Sequence, residues 1–412
     1  MVTRFRWALL AGAALAIGCA SQPSDSDART SVSASQHDTA APAIAALRSG
    51  DFDKADQLAR ERMAADDRNP YPRLVRAITR YKKSMQQLAI DGRTVLIGGL
   101  EAGGINQRYL HTTFAEAESE LAAVEADLAF VARHQGISLE LCLACWEIDW
   151  NGNGRIDERD QRLFEIEQDA RGEPLADDDP RRKPTFRFDD GDVAWARAFV
   201  SFERAALDVA LAYDWSDVGK LARRRRERPD QVVVKLVDRD RIEQARLRLL
   251  EGLNQSDACR RAYLAETDDD REWVPNPRQK SHPMPLPVDQ SLYDTWEGVV
   301  GDVRALARGD EGLHIATLFE ALGEGIHNPP KGYLDVGRML AHPKDIVLDL
   351  KVLGRLKRDE DIEGAMSAAF GEYYVREMKP SALPGRLARM KGEIDRNEEG
   401  FGRKLRYLLW LN

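Results

Sequence analysis

Cysteine is scarce in this chain, with four among 412 residues. That is too few for a small disulfide-built scaffold and, once Cys19 is set aside as argued below, too few for an all-cysteine zinc site. An excess of positive charge is also lacking. Sixty basic against 69 acidic side chains leave a formal charge of -9, which excludes an overall basic field for drawing in DNA or RNA. Several signatures of chemistry are missing as well: a Gly-rich phosphate loop, G-x-S-x-G, H-E-x-x-H and the paired carboxylates of a glycosidase. The seven histidines are scattered, so no active site can be assembled from the sequence alone. What is present is 43% hydrophobic and 31% charged residues, enough apolar side chain for a globular core. The length corresponds to roughly two to three ordinary domains.

The first residues read as an address. Arg4 and Arg6 precede an apolar stretch from Trp7 to Ile17, interrupted by Gly12. It is too short for a permanent bilayer span and suits a secretory h-region. The following Leu15-Ala16-Ile17-Gly18-Cys19 resembles the lipobox of bacterial lipoproteins, with Ala16 where that motif usually has Leu. The resemblance implies cleavage after residue 18, acylation of Cys19, and, with Ala20 rather than Asp next, an anchor in the outer membrane, facing periplasm or cell surface. The alternative is an ordinary signal peptide cut near Ala20. Ser21 to Ala40 holds one Val and no aromatic residue, so residues 19–42 are expected to be a disordered tether.

From Ala43 the apolar spacing is helical. Ile44 and Leu47, then Gly50-Asp51-Phe52, then Ala55, Leu58, Ala59 and Met63 resemble one tetratricopeptide-type helix hairpin, without a second copy at that motif's period. Helical patterns also cover Thr113 to His134, Asp192 to Tyr213, Arg239 to Leu253 and Leu292 to Ala307. The segment Asp192 to Tyr213 carries Arg197, Glu203, Arg204 and Asp208 among its apolar residues, so it is expected to be a core helix and not a membrane span. Two short runs, Thr94 to Leu100 and Val232 to Val237, are the candidates for strands. The expected fold is therefore all-α: an irregular multi-helix bundle with a helical domain over 43–266 and a C-terminal helical subdomain over 291–412. Between them, 267–290 is Pro-rich, either a linker or an extended segment laid over the body.

One motif carries chemistry. Asp149-Trp-Asn151-Gly-Asn153-Gly154-Arg155-Ile156-Asp157-Glu-Arg-Asp160 places an oxygen-bearing side chain at alternate positions of a short loop, the arrangement a hard cation needs. It resembles the twelve-residue calcium loop of EF-hands and dockerins. The resemblance implies a Ca2+ ion held by the side chains of Asp149, Asn151 and Asn153, the Arg155 carbonyl, Asp157 directly or through water, and Asp160, with Gly154 at positive φ. The twelfth residue is Asp160 rather than Glu and the loop has no readable partner, so affinity is expected near the weak EF-hand limit of about 10⁻⁴–10⁻³ M. Leu141, Ala144, Cys145 and Ile148 are expected on one face of an entering helix, with Leu163 and Phe164 opening the exit helix. An Asx-rich turn without metal is the alternative.

Weaker features complete the reading. Cys142 and Cys145 form a C-x-x-C, read as mid-helix with Cys145 facing the core, and Cys259 is a candidate partner for Cys142 in an oxidising compartment. Arg223 to Arg226 is a solvated basic run or a contact for lipid headgroups. Asp268, Asp269, Asp270 and Glu272 read as a solvated acidic loop, with a second cation site as the sharper option. Two functions follow. One is a calcium-binding, lipid-anchored structural or docking component of the bacterial envelope, with an envelope protein as partner and no nucleic acid. The other is an envelope hydrolase whose site lies between the helical halves under the Pro-rich segment. Converging acids of shifted pKa in a cleft would favour the second.

Overall fold

The computed structural model describes residues 29–92, 94, 104–149, 154–157, 160, 164–169, 173–222, 229–282, 288–321, 329–349, 351–352 and 361–395. The chain is mostly helical but not strictly all-α, because several small sheets stitch the helices together. Cys19, Asn151, Asn153, the run Arg223 to Arg226 and most of Thr94 to Leu100 lie outside the described residues.

Helices α1 (Ala34–Arg48), α2 (Phe52–Ala65), α3 (Pro70–Gly92) and α4 (Gln107–Val131) pack in the N-terminal half. α1 begins nine residues before the Ala43 expected from apolar spacing. A capping box of Ser33 with Gln36 starts it, and buried Ala40 gives its early turns a place in the core. A tight turn joins α1 to α2. Gly50 takes φ +76°, and the Asp51 carboxylate accepts the Lys54 N–H at 3.1 Å to cap α2.

α5 (Asp190–Leu211) and α6 (Arg239–Ala265) form the central pair, and α7 (Gln290–Arg308) packs on α6. Gly252 allows the close approach, since a Cβ there would lie 2.6 Å from a ring carbon of Phe202 on α5. One apolar cluster joins α1–α4 to the near side of α5. A second joins Trp195 of α5 to Leu253 and Tyr263 of α6 and to Tyr293, Trp296 and Val300 of α7. α5 is thus shared by both clusters. A buried ion network ties it to its neighbours, with Asp208 of α5 paired to Arg241 and Arg248, both of α6, at 2.7 Å each.

The strands are short. β1 (Thr30–Ser31) runs parallel to β2 (His134–Gln135), and β3 (Leu139–Leu141) pairs antiparallel with β4 (Phe186–Phe188) in the register Leu139 to Phe188. β5 (Tyr213–Asp214), β6 (Gln231–Leu236) and β9 (Ile346–Asp349) make a three-stranded antiparallel sheet with β6 central. The second expected strand run, Val232 to Val237, is therefore a strand. β7 (Leu313–His314), β8 (Tyr333–Leu334) and β10 (Tyr374–Val375) form another small sheet, with the short helices α8 (Ile315–Ala321), α9 (Val336–Ala341), α10 (Ile362–Phe370) and α11 (Leu383–Asp395) around it. Among the described residues, no helix is long and apolar enough to cross a membrane.

The segment before the acidic loop departs from expectation. It is not a helix: Leu141 ends β3, Leu143–Cys145 is a single 3-10 turn, and Trp146 to Asp149 has no regular structure. Two constraints override its helical spacing. β3 is held by the ladder to β4, and Cys142 is disulfide-bonded to Cys145 across a Cα separation of 5.3 Å. That bond also replaces the expected Cys142–Cys259 pairing, closing the shortest loop available. Cys145 is exposed, not core-facing, whereas Cys259 is buried on α6.

Candidate functional site

At the predicted calcium loop, the described residues are Asp149, Gly154, Arg155, Ile156, Asp157 and Asp160. The Asp149 carboxylate accepts the Gly154 N–H at 2.7 Å, and Gly154 takes φ +80°. This closes a turn that only a residue without Cβ adopts freely. The Asp160 carboxylate accepts the Asp157 N–H at 3.1 Å, and the Asp160 N–H donates back to the Asp157 carbonyl at 3.1 Å. Asp160 is buried and Ile156 is exposed. The loop leans on α3, where the Gln86 side chain donates to the Asp149 carbonyl at 2.9 Å.

A second concentration of charge lies at the Pro-rich segment. The Pro-rich segment is not a free linker. Over residues 267–282 it is laid along the body, with Glu272, Trp273, Asn276 and Gln279 all buried. Trp273 packs edge-on against Phe186 with ring centroids 4.6 Å apart. The Asn276 amide donates to the Tyr263 carbonyl at 2.8 Å, and the Tyr293 hydroxyl donates to the Pro275 carbonyl at 3.1 Å. These bonds tie the strap to the C-terminal end of α6 and to α7.

Under the strap, the N-terminus of α5 supplies Asp189 and Asp192 in a capping box. The Asp192 carboxylate accepts the Asp189 N–H at 2.8 Å, and the Asp189 carboxylate accepts the Gly191 N–H at 2.8 Å. The other Asp192 oxygen accepts the buried Tyr263 hydroxyl at 2.6 Å. Glu266 comes from the end of α6 and Glu272 from the strap. Asp189, Glu266 and Glu272 each bring one carboxylate oxygen to within 4.8 Å of the others. Arg187 on β4 pairs with Glu272 at 2.9 Å and with Asp268. The acidic loop of the strap is therefore only partly solvated, since Glu272 turns inward.

Burial and mutual repulsion hold Asp189, Asp192 and Glu266 protonated beyond their usual range. Burial pushes Asp189 up to about 6, and burial together with Asp189, Asp192 and Glu272 pushes Glu266 up to about 9. Asp192 is raised well above the ordinary carboxylate value, mainly by burial and the neighbouring Asp189. Three carboxylates this close are also a possible set of hard-oxygen ligands, suited to Ca2+, Mg2+ or Mn2+ rather than to a soft metal.

Asp189 and Asp192 line one part of a cavity of about 130 Å³. The rest of its lining is almost wholly apolar, with Leu74, Ile78, Leu128, Trp195, Phe199 and Trp273 from α3, α4, α5 and the strap. Tyr81 and Lys82 of α3 also line it. The Tyr81 hydroxyl donates to Glu203 at 2.7 Å. Burial lowers Lys82 to about 8 and raises Glu203 to about 7, each shift moderated by attraction to the other.

Little in the sequence pointed here. Asp189 and Asp192 carry a capping signature, Asp-x-x-Asp before an apolar helix, and Glu272 belongs to a recognised acidic run. Glu266 and Tyr263 carried no signal, because only the packing of α6 beneath the strap brings them to the acids. No family model matches the chain, and neither the curated proteins nor the solved structures include a similar one.

Proposed function

We propose that the chain is an exported, lipid-anchored helical protein of the bacterial envelope whose Asp149–Asp160 loop binds one calcium ion as a structural clamp. The observation that carries the reading is the turn at Asp149: its carboxylate bonds the Gly154 N–H at 2.7 Å with Gly154 at φ +80°. A sharp turn at the sixth position is what a calcium loop of this kind requires of its glycine. The missing entry helix is compatible with a static ion rather than a sensor, because a sensor moves two helices and this loop enters from a disulfide-tied turn. An ion bound only by the folded protein adds stability as RT ln(1 + [L]/Kd). Calcium is expected to raise the melting temperature and a chelator to reverse the rise, with Asp149→Ala abolishing the response. A chelator-insensitive melt of the wild-type chain would overturn the proposal.

The cavity favours a second reading, an envelope hydrolase. Asp189, pushed up to about 6, and Asp192, raised well above the ordinary carboxylate value, line an apolar cavity under the Pro-rich strap, the setting in which a carboxyl can act as a general acid. Under this reading, hydrolysis of small ester or amide panels is lost in Asp192→Asn while its calcium response persists. Absence of turnover by the wild-type protein across the panels counts against it.

A further inference from the structure

We infer that the cavity beneath the strap binds a small hydrophobic amine, with its apolar body among the side chains of α3, α4 and α5 and its ammonium group against Asp189 and Asp192. The inference deepens the enzyme reading of the same cavity but does not require turnover.

Three observations lead there. The first is size. Protein interiors are close-packed with few voids larger than a water molecule, whereas this one holds about 130 Å³. An engineered apolar cavity of about 150 Å³ takes up benzene, so a ring or a branched aliphatic group fits. The second is lining. Leu74, Ile78, Leu128, Trp195, Phe199 and Trp273 offer aliphatic and aromatic surface and no hydrogen bonds for water beyond the indole N–H groups. An apolar occupant is favoured over a cluster of waters.

The third is the polar wall. Asp189 and Asp192 reach the cavity, with Glu266 and Glu272 behind Asp189, and Arg187 is the cation paired into that group. Each carboxylate already accepts backbone or hydroxyl donors, which orients it without supplying the positive charge a buried acid pair needs. An ammonium group brings that charge, and the acids, held protonated without it, give up a proton as it binds. Lys82 also lines the cavity, but its ammonium sits over the rings of Phe164, Tyr81 and Trp146, at 5.1, 5.6 and 5.8 Å from their centroids, and is attracted by Glu203. A carboxylate ligand would bring further negative charge to acids that already repel one another, so the amine is the better match.

The test uses the full chain and three probes of one shape: benzylamine, toluene and benzoate. Calorimetry or saturation-transfer NMR at neutral pH is expected to show benzylamine binding at least tenfold more tightly than toluene, with benzoate weakest. Ala196→Leu, which narrows the cavity, should abolish binding of the amine. Asp192→Asn, which keeps the volume, should bring benzylamine down to the level of toluene. Should Ala196→Leu fail to fold, Asp192→Asn and the probe ranking still decide. Benzylamine that fails to bind at millimolar concentration, binds no better than toluene, or is matched by benzoate overturns the inference. Amine binding without turnover leaves the assignment standing and sinks the hydrolase reading, and ester turnover without amine binding does the reverse.

Discussion

Glu266 illustrates how a single residue couples the strap to pH. Its carboxyl sits near Asp189, Asp192 and Glu272 and is pushed up to about 9, against an ordinary value of 4.5. A raised carboxyl stabilises the fold fully below its unfolded value, and that contribution is lost as pH rises through the folded one. Between about pH 4.5 and 9 the folded chain holds a proton that the unfolded chain has released, so stability falls as pH rises. Asp189 adds the same sign over a lower window, from 3.8 to about 6. Urea unfolding followed across this range should show the wild type weakening toward alkaline pH, with a shallower slope in Glu266→Gln. A slope unchanged by the substitution would mean that the proton resides elsewhere. Asp127 makes a different point. It is buried on α4 and held by Arg76 through two bonds of 2.7 Å. Asp127→Ala leaves the guanidinium groups of Arg76 and Arg73 without their shared partner and is expected to cost about 3 kcal/mol, read as a lower urea midpoint at constant m-value.

At the scale of elements, the central pair α5 and α6 depends on the absence of a side chain. Gly252 lies under Phe202, and a Cβ would sit 2.6 Å from its ring and 3.1 Å from the Ala198 carbonyl oxygen. The ring can turn, but the backbone oxygen cannot yield without moving α5. Gly252→Val is therefore expected to destabilise by about 1–3 kcal/mol through overpacking, and a melt matching wild type would show that the helices slide freely. Helix existence was legible for α4, α5, α6 and α7 because their apolar residues recur at helical spacing and Asn106, Asp189, Asp238 and Asp289 cap them. The segment at Cys142 was misread for a physical reason. Its apolar spacing fits a helix, yet the ladder to β4 and the Cys142–Cys145 bond are interactions with partners that spacing does not encode.

At the scale of the whole molecule, address and body are separate questions. The body from α1 onward is an extensive helical fold whose two largest apolar clusters among the described residues meet at α5. The address rests on Cys19 and its flanking residues. If Cys19 is acylated, Cys19→Ser should move the protein from the membrane fraction into the soluble periplasmic fraction without changing its melting curve. An unchanged membrane fraction would remove the anchor from the proposal while leaving the fold intact.

The sequence alone determined the helical character and the position of most long helices, because both are written in local spacing and capping residues; the proposed leader and the proposed calcium loop rest on contiguous motifs. Only the tertiary structure decided that residues 267–282 lie across the body and that Asp189, Asp192, Tyr263, Glu266 and Glu272 come together there, with Asp189 and Asp192 lining an apolar cavity. Those five residues span 84 positions from Asp189 to Glu272. The physical reason is that burial and close packing, rather than any local preference, set the distances between residues so far apart in the chain.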